Sequence, residues 1–135
     1  MRKLTEHIVE GDSANHQLEI EVQDAPGQGG AHHLYAVYGF HSATNPVGEV
    51  DSSLKNETVL KIFFQNGPIK EVGVNGITQE ALLAIVIDRL KSFQAGPFAS
   101  EYNERSLHHC RLALNEVHAR TRERIKRGVE GTHQK

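Results

Sequence analysis

Around Thr78 the hydrophobic period of this chain changes, and that change restricts the fold it can adopt. Before it, residues 18–22 read LEIEV, a strict alternation that suits a half-buried strand with its acidic side chains outward. HLYAVYGF (33–40) and VLKIFFQ (59–65) are rich in aromatic and β-branched residues and read as further strands. Between these runs, DAPGQGGA and HSATNPVGEVDSSLKNE supply the glycine, proline, asparagine and aspartate of turns. Asn66-Gly67 predicts a hairpin from KIFFQ into a strand IKEVGV, with Pro68 where the ladder needs no donor, and Asn75-Gly76 ends that strand. Residues 1–77 are thus expected to be β-rich and to form an antiparallel sheet.

From Thr78 onward the period is helical. Thr78 suits an N-cap, and Glu80 in the first turn complements the helix dipole. The helix QEALLAIVIDRLKSF is apolar almost all round its first two turns, so it needs cover on more than one side. Gly96 and Pro97 break it. A second helix is predicted from about residue 101 or 104 to 127, with Leu107, Cys110, Leu114, Val117 and Thr121 at near-heptad spacing. The two make a packed hairpin over 78–127, and their apolar surplus predicts a dimer. Gly128 stops the second helix and residues 128–135 read as a tail. The class is α+β, a sheet followed by a two-helix hairpin in one domain of 135 residues. A chain of this length buries roughly two-thirds of its unfolded surface.

Composition excludes several kinds of protein. A single cysteine, Cys110, forms no internal disulfide and implies no oxidising compartment. MRKLTEHIVEGD turns acidic where a signal peptide needs an apolar run, and ALLAIVI is too short to span a bilayer, so a cytoplasmic protein without membrane contact is expected. A net charge of −2 argues against non-specific attraction to nucleic acid. The histidines do not converge. His108, His109 and Cys110 are about 100° apart in turn on a helix, and His32 and His33 point to opposite faces of a strand. With no zinc spacing, P-loop or nucleophile elbow, no metal, cofactor or catalytic residue is expected.

One local exception to the weak charge remains. Arg120, Arg122, Arg124, Lys126 and Arg127 crowd the end of the second helix. Arg120, Arg124 and Arg127 share one face, at i, i+4 and i+7, and Arg124 is expected to be an exposed helix residue. Two guanidinium forks one turn apart suit a diphosphate. The same face also reads as solvated, with Glu116 pairing Arg120 and Glu123 pairing Arg127. Phe93 and Phe98 bracket the hairpin turn, with Asn103 just beyond; they read either as caps of the helix joint or, beside the arginines, as the base-stacking and polar contacts of a nucleotide site.

The stretches QNGPIKEVGVNGITQEALLAIVIDRLKSFQAGPF and RTRERIKRGVEG resemble the phage Thoeris anti-defence one family, which shares its helical hairpin with an anti-CBASS sponge family. The resemblance covers residues 64–132. It implies a non-catalytic sponge that sequesters a cyclic ADP-ribose isomer made by bacterial immune enzymes, in the cytoplasm of an infected host. It also implies a homodimer with pockets at the subunit interface; some members join three dimers into a hexamer with separate pockets for cyclic trinucleotides. Carried onto this chain, the pocket comprises Phe93 as the stacking aromatic, Asn103 as a polar contact, and Arg120 with Arg124 facing phosphate. Phe98, Tyr102 and Arg127 are secondary contacts. Where members often carry Cys-Arg-Glu before the asparagine, this chain has Ser100, Glu101 and Tyr102. Two other readings use the same residues: a nucleic-acid-binding accessory protein, whose affinity falls steeply with salt, and a phosphodiesterase, which needs a metal or a general base.

Overall fold

The alternating run at 18–22 finds strand partners on both sides. In the computed structural model, which describes residues 1–135, β2 (Glu19–Val22) lies between β1 (Arg2–Leu4) and β3 (Leu34–Tyr38), and β4 (Leu60–Phe63) flanks β3. All pairings are antiparallel. Leu4, Ile20, Val37 and Leu60 form one cross-strand row, and Arg2, Val22, Tyr35 and Ile62 lie in the next. Alternation and register therefore agree, and this face of the sheet is apolar apart from Arg2 at its edge. Lys3, Glu19, Glu21 and Lys61 stand on the other, where Lys3 reaches Glu19 at 3.4 Å. Val22 on the first face and Ala36 on the second are the buried hydrophobic residues of the sheet.

Loops of this sheet are closed by side chains bonding to backbone. The Asp24 carboxylate accepts from the N–H groups of His33 at 2.9 Å and Leu34 at 3.1 Å, which holds the glycine-rich loop between β2 and β3. His32 turns its Nδ1 to the Asp24 carbonyl at 2.7 Å, while His33 is buried. A short helix, α1 (Ser13–Gln17), is capped by Asp12. Gly39 follows β3 at φ 95°, and a Cβ there would stand 2.2 Å from the Gln17 carbonyl oxygen, so only glycine fits. Between β3 and β4 lies α2 (Val47–Val50), a single turn. Neither β1 nor α1 is among the elements expected from sequence.

The chain divides into two units, Met1–Asn66 and Gly67–Lys135. In the second, the strand and hairpin predicted after Asn66-Gly67 do not form. Residues Ile69–Val72 make one helical turn, α3, in which Val72 N–H donates to the Pro68 carbonyl at 2.9 Å and Gly73 N–H to that of Ile69 at 2.8 Å. Proline supplies a helix-compatible φ of −68° before the turn, and Gly73 leaves it at φ 74°. Local bonds thus replace a ladder, and the last strand is β4.

The helices follow the sequence reading closely. α4 spans Gln79–Gln94 and starts where the Thr78 hydroxyl accepts from Ala81 N–H at 3.1 Å. α5 spans Glu101–Arg127 and starts at Ser100, whose hydroxyl accepts from Asn103 N–H at 3.0 Å. Gly128 ends it in the left-handed region. Leu107 is buried at their contact, and Cys110, Leu114, Val117 and Thr121 are partly covered along it. On α4, by contrast, Ile85 is 64% and Val86 44% exposed. The segment after α5, expected to be a tail, folds back onto the helix end.

Candidate functional site

At the turn between α4 and α5, the sequence brings together an aromatic, an amide and the caps that hold them. Phe93 lies in the last turn of α4, in a hollow lined by Ile85, Asp88, Arg89 and Ser92. The Arg89 guanidinium stands 5.0 Å from the Phe93 ring centroid, a cation–π distance. Arg89 precedes Phe93 by four positions, so the pairing was legible as a same-face contact but was not foreseen. Asn103 sits in the first turn of α5, where its Nδ2 donates to the Phe98 carbonyl at 3.1 Å. Gln94 accepts from Ser100 N–H at 2.9 Å and donates to Glu104 at 3.1 Å, joining the end of α4 to the start of α5. Phe98 and Tyr102 are 72% and 77% exposed, and Arg105 lies 5.1 Å from the Tyr102 ring centroid. Asn103 thus holds the turn that carries two exposed rings.

The basic residues occupy the other end of α5. Arg120 is exposed and lines a hollow with Gln79, Glu80, Glu116, Val117 and Thr121, where the start of α4 faces the later turns of α5. Arg127 pairs with Glu123 at 2.5 Å, as the solvated-face reading expects. Arg124 departs from expectation: it is 7% exposed. Its Nε donates to the Glu130 carboxylate at 3.1 Å, its Nη2 to the carbonyls of Val129 at 3.0 Å and Thr132 at 3.1 Å, and its Nη1 to the Gln134 carbonyl. Gly128 turns the chain back, so the acceptors arrive from residues that a helix-face projection places beyond the helix. Glu130 and its neighbours were not foreseen for that reason.

Seventeen helical positions separate Asn103 from Arg120, about 26 Å along α5. Within one chain, therefore, Phe93, Phe98, Tyr102 and Asn103 gather at the turn, and Arg120, Arg124 and Arg127 gather at the opposite end. The hollow that holds Phe93 and the one that Arg120 lines share no residue. No three His, Cys, Asp or Glu side chains converge as a metal site would require among the described residues. No helix is long and apolar enough to cross a membrane.

A sheet followed by a long antiparallel helix pair, aromatic at the turn and basic at the far end, defines an α+β protein with a helical-hairpin domain. Residues 56–122 match the family model described as Acb2/Tad1, hairpin domain, and the chain carries the hairpin of that family. It is 46% identical over 72 residues to a protein named Thoeris anti-defense 1 from Bacillus phage SBSphiJ7, covering 53% of this chain and 51% of the relative. The chain spans about half the length of the curated relative it matches. The resemblance drawn from the quoted stretches holds.

Proposed function

We propose that this chain is a phage anti-defence protein of the sponge type, which binds and sequesters an immune signalling nucleotide without chemical change. Its family hairpin and its likeness to a Thoeris anti-defence protein support the role. The ligand is a cyclic ADP-ribose isomer, with cyclic trinucleotides as a second class, and the place of action is the host cytoplasm. Phe93 offers a base-stacking face, Asn103 a polar contact, and Arg120 with Arg124 the phosphate-facing pair. Phe98, Tyr102 and Arg127 border them.

The observation that carries this reading is the separation of the two groups along α5. Because about 26 Å of helix lies between Asn103 and Arg120, one chain offers two half-sites. A second copy with its hairpin reversed joins the turn of one to the basic end of the other. That arrangement gives a homodimer with interface pockets, and a trimer of such dimers is its multiple. An isolated purine or phosphate then binds weakly, whereas a ligand bearing both spans the joint.

Equilibrium dialysis against glycocyclic ADP-ribose tests the proposal. The protein should deplete the free nucleotide, and heat denaturation should return it unchanged. Recovery of ADP-ribose or AMP would make the protein an enzyme, and displacement by oligonucleotides with a steep salt dependence would make it a nucleic-acid binder.

A further inference from the structure

Every acceptor around Arg124 comes from six residues of the same chain, 129–134. These are the Glu130 carboxylate and the carbonyls of Val129, Thr132 and Gln134. A phosphate presents the same kind of oxygens to the same guanidinium fork. We propose that residues 129–134 are an intramolecular competitor for the Arg124 anion site, with the Glu130 carboxylate setting how strongly they hold it. This rests on the sponge reading only in treating Arg124 as a phosphate contact.

The segment is built so that it can leave. Two glycines at positive φ bracket its first residues, Gly128 at 74° and Gly131 at 81°. Both are conformations that reorient without side-chain strain. The inner part is fixed to the helix end, with Gly128 N–H donating to the Ile125 carbonyl and Val129 N–H to that of Arg124, each at 3.0 Å. Beyond Glu130 the described ties to other elements are few. Lys70 N–H donates to the Gly131 carbonyl at 3.0 Å, and His133 lies 3.6 Å from Glu71, both side chains more than 60% exposed. An ion pair so exposed contributes little. The Glu130 side chain is itself 38% exposed, against 8% for that of Arg124. Water already reaches the carboxylate, so its release costs less than stripping the guanidinium bare.

Displacement exchanges one carboxylate and three neutral carbonyls for the ligand's oxygens. Because the same segment must leave before any anion reaches Arg124, the competitor weakens every such ligand by the same factor. Glu130 therefore tunes affinity without touching the ligand.

The experiment titrates the full-length chain and its Glu130→Gln variant with inorganic phosphate, inorganic pyrophosphate and glycocyclic ADP-ribose in a calorimeter. Hydrogen exchange of residues 129–134 is followed in the wild-type protein with and without ligand. Removing the charge at Glu130 should tighten binding by about fivefold, and by the same factor for each ligand that displaces the segment. Exchange at 129–134 should speed up when pyrophosphate or glycocyclic ADP-ribose saturates the protein. Unchanged or weaker binding by Glu130→Gln, or slower exchange of the segment with ligand bound, overturns the proposal. If the variant fails to fold, the wild-type exchange result decides alone. Tight binding of glycocyclic ADP-ribose with the segment still protected refutes the competitor and leaves the sponge intact. Release by pyrophosphate with no affinity for glycocyclic ADP-ribose refutes the sponge and leaves the competitor.

Discussion

On an isolated helix, replacing Arg124 by alanine would cost little, because alanine is the stronger helix former. In the folded hairpin unit the same change removes the shared donor of a carboxylate and three carbonyls. Arg124→Ala is therefore expected to destabilise this unit by about 1 kcal/mol, the net loss of hydrogen bonds whose acceptors water can reach. Thermal melting of the variant measures it. Arg122→Ala, at an exposed position of the same helix, should stay within about 0.5 kcal/mol. Arg120 separates stability from binding: it is exposed beside Glu80 and Glu116. Arg120→Ala should melt like the wild-type protein and bind glycocyclic ADP-ribose at least about thirtyfold more weakly, as expected for losing a desolvated phosphate contact. Equal loss of stability and affinity would instead make Arg120 a structural residue.

At the scale of elements, the loop between β2 and β3 and the turn between α4 and α5 each depend on one cap. Burial raises the Asp24 carboxyl, but the N–H groups of His33 and Leu34 and the charge of His32 outweigh it, leaving the group below the usual carboxylate value. A carboxyl lowered by folding stabilises the native state above its unfolded pKa, and that contribution fades as pH falls through the folded value. The sheet should accordingly weaken in acid below about pH 4. Asp24→Asn should be less stable at neutral pH and lose that part of the acid dependence, which circular dichroism during an acid titration will show. At the other turn, Ser100→Ala removes the cap of α5 and should cost about 1 kcal/mol. It should also loosen the turn that carries Phe93 and Asn103, so affinity for the nucleotide should fall with little change in the sheet's melting.

For the molecule as a whole, α4 leaves Ile85 and Val86 in water beside the hollow that holds Phe93. Apolar side chains so placed on a helix favour association with another chain. Light scattering should give twice the chain mass or a multiple of it, and Ile85→Asp should reduce that mass without altering the circular dichroism. A wild-type monomer that still binds glycocyclic ADP-ribose would remove the shared pocket, because one hairpin keeps the aromatic and basic ends about 26 Å apart.

The two long helices, the Thr78 cap, the Gly128 stop and the strands β2, β3 and β4 were legible because each rests on neighbours in sequence. Thr78, the apolar period of α4 and Gly128 act within a few residues of themselves. So do the alternation of β2 and the identity of the basic face. The stretch from Gln65 to Phe98, which lies within the matched residues 56–122, also determined the family of the hairpin. Tertiary structure alone decided the rest. IKEVGV became a helical turn closed by local bonds from Val72 to Pro68 and from Gly73 to Ile69. Arg124 became buried because a glycine reversed the chain and delivered four acceptors from beyond the helix, which no projection of the helix face contains. Which of two cations one turn apart stays in water and which is enclosed is a matter of burial, and burial depends on chain that arrives from elsewhere.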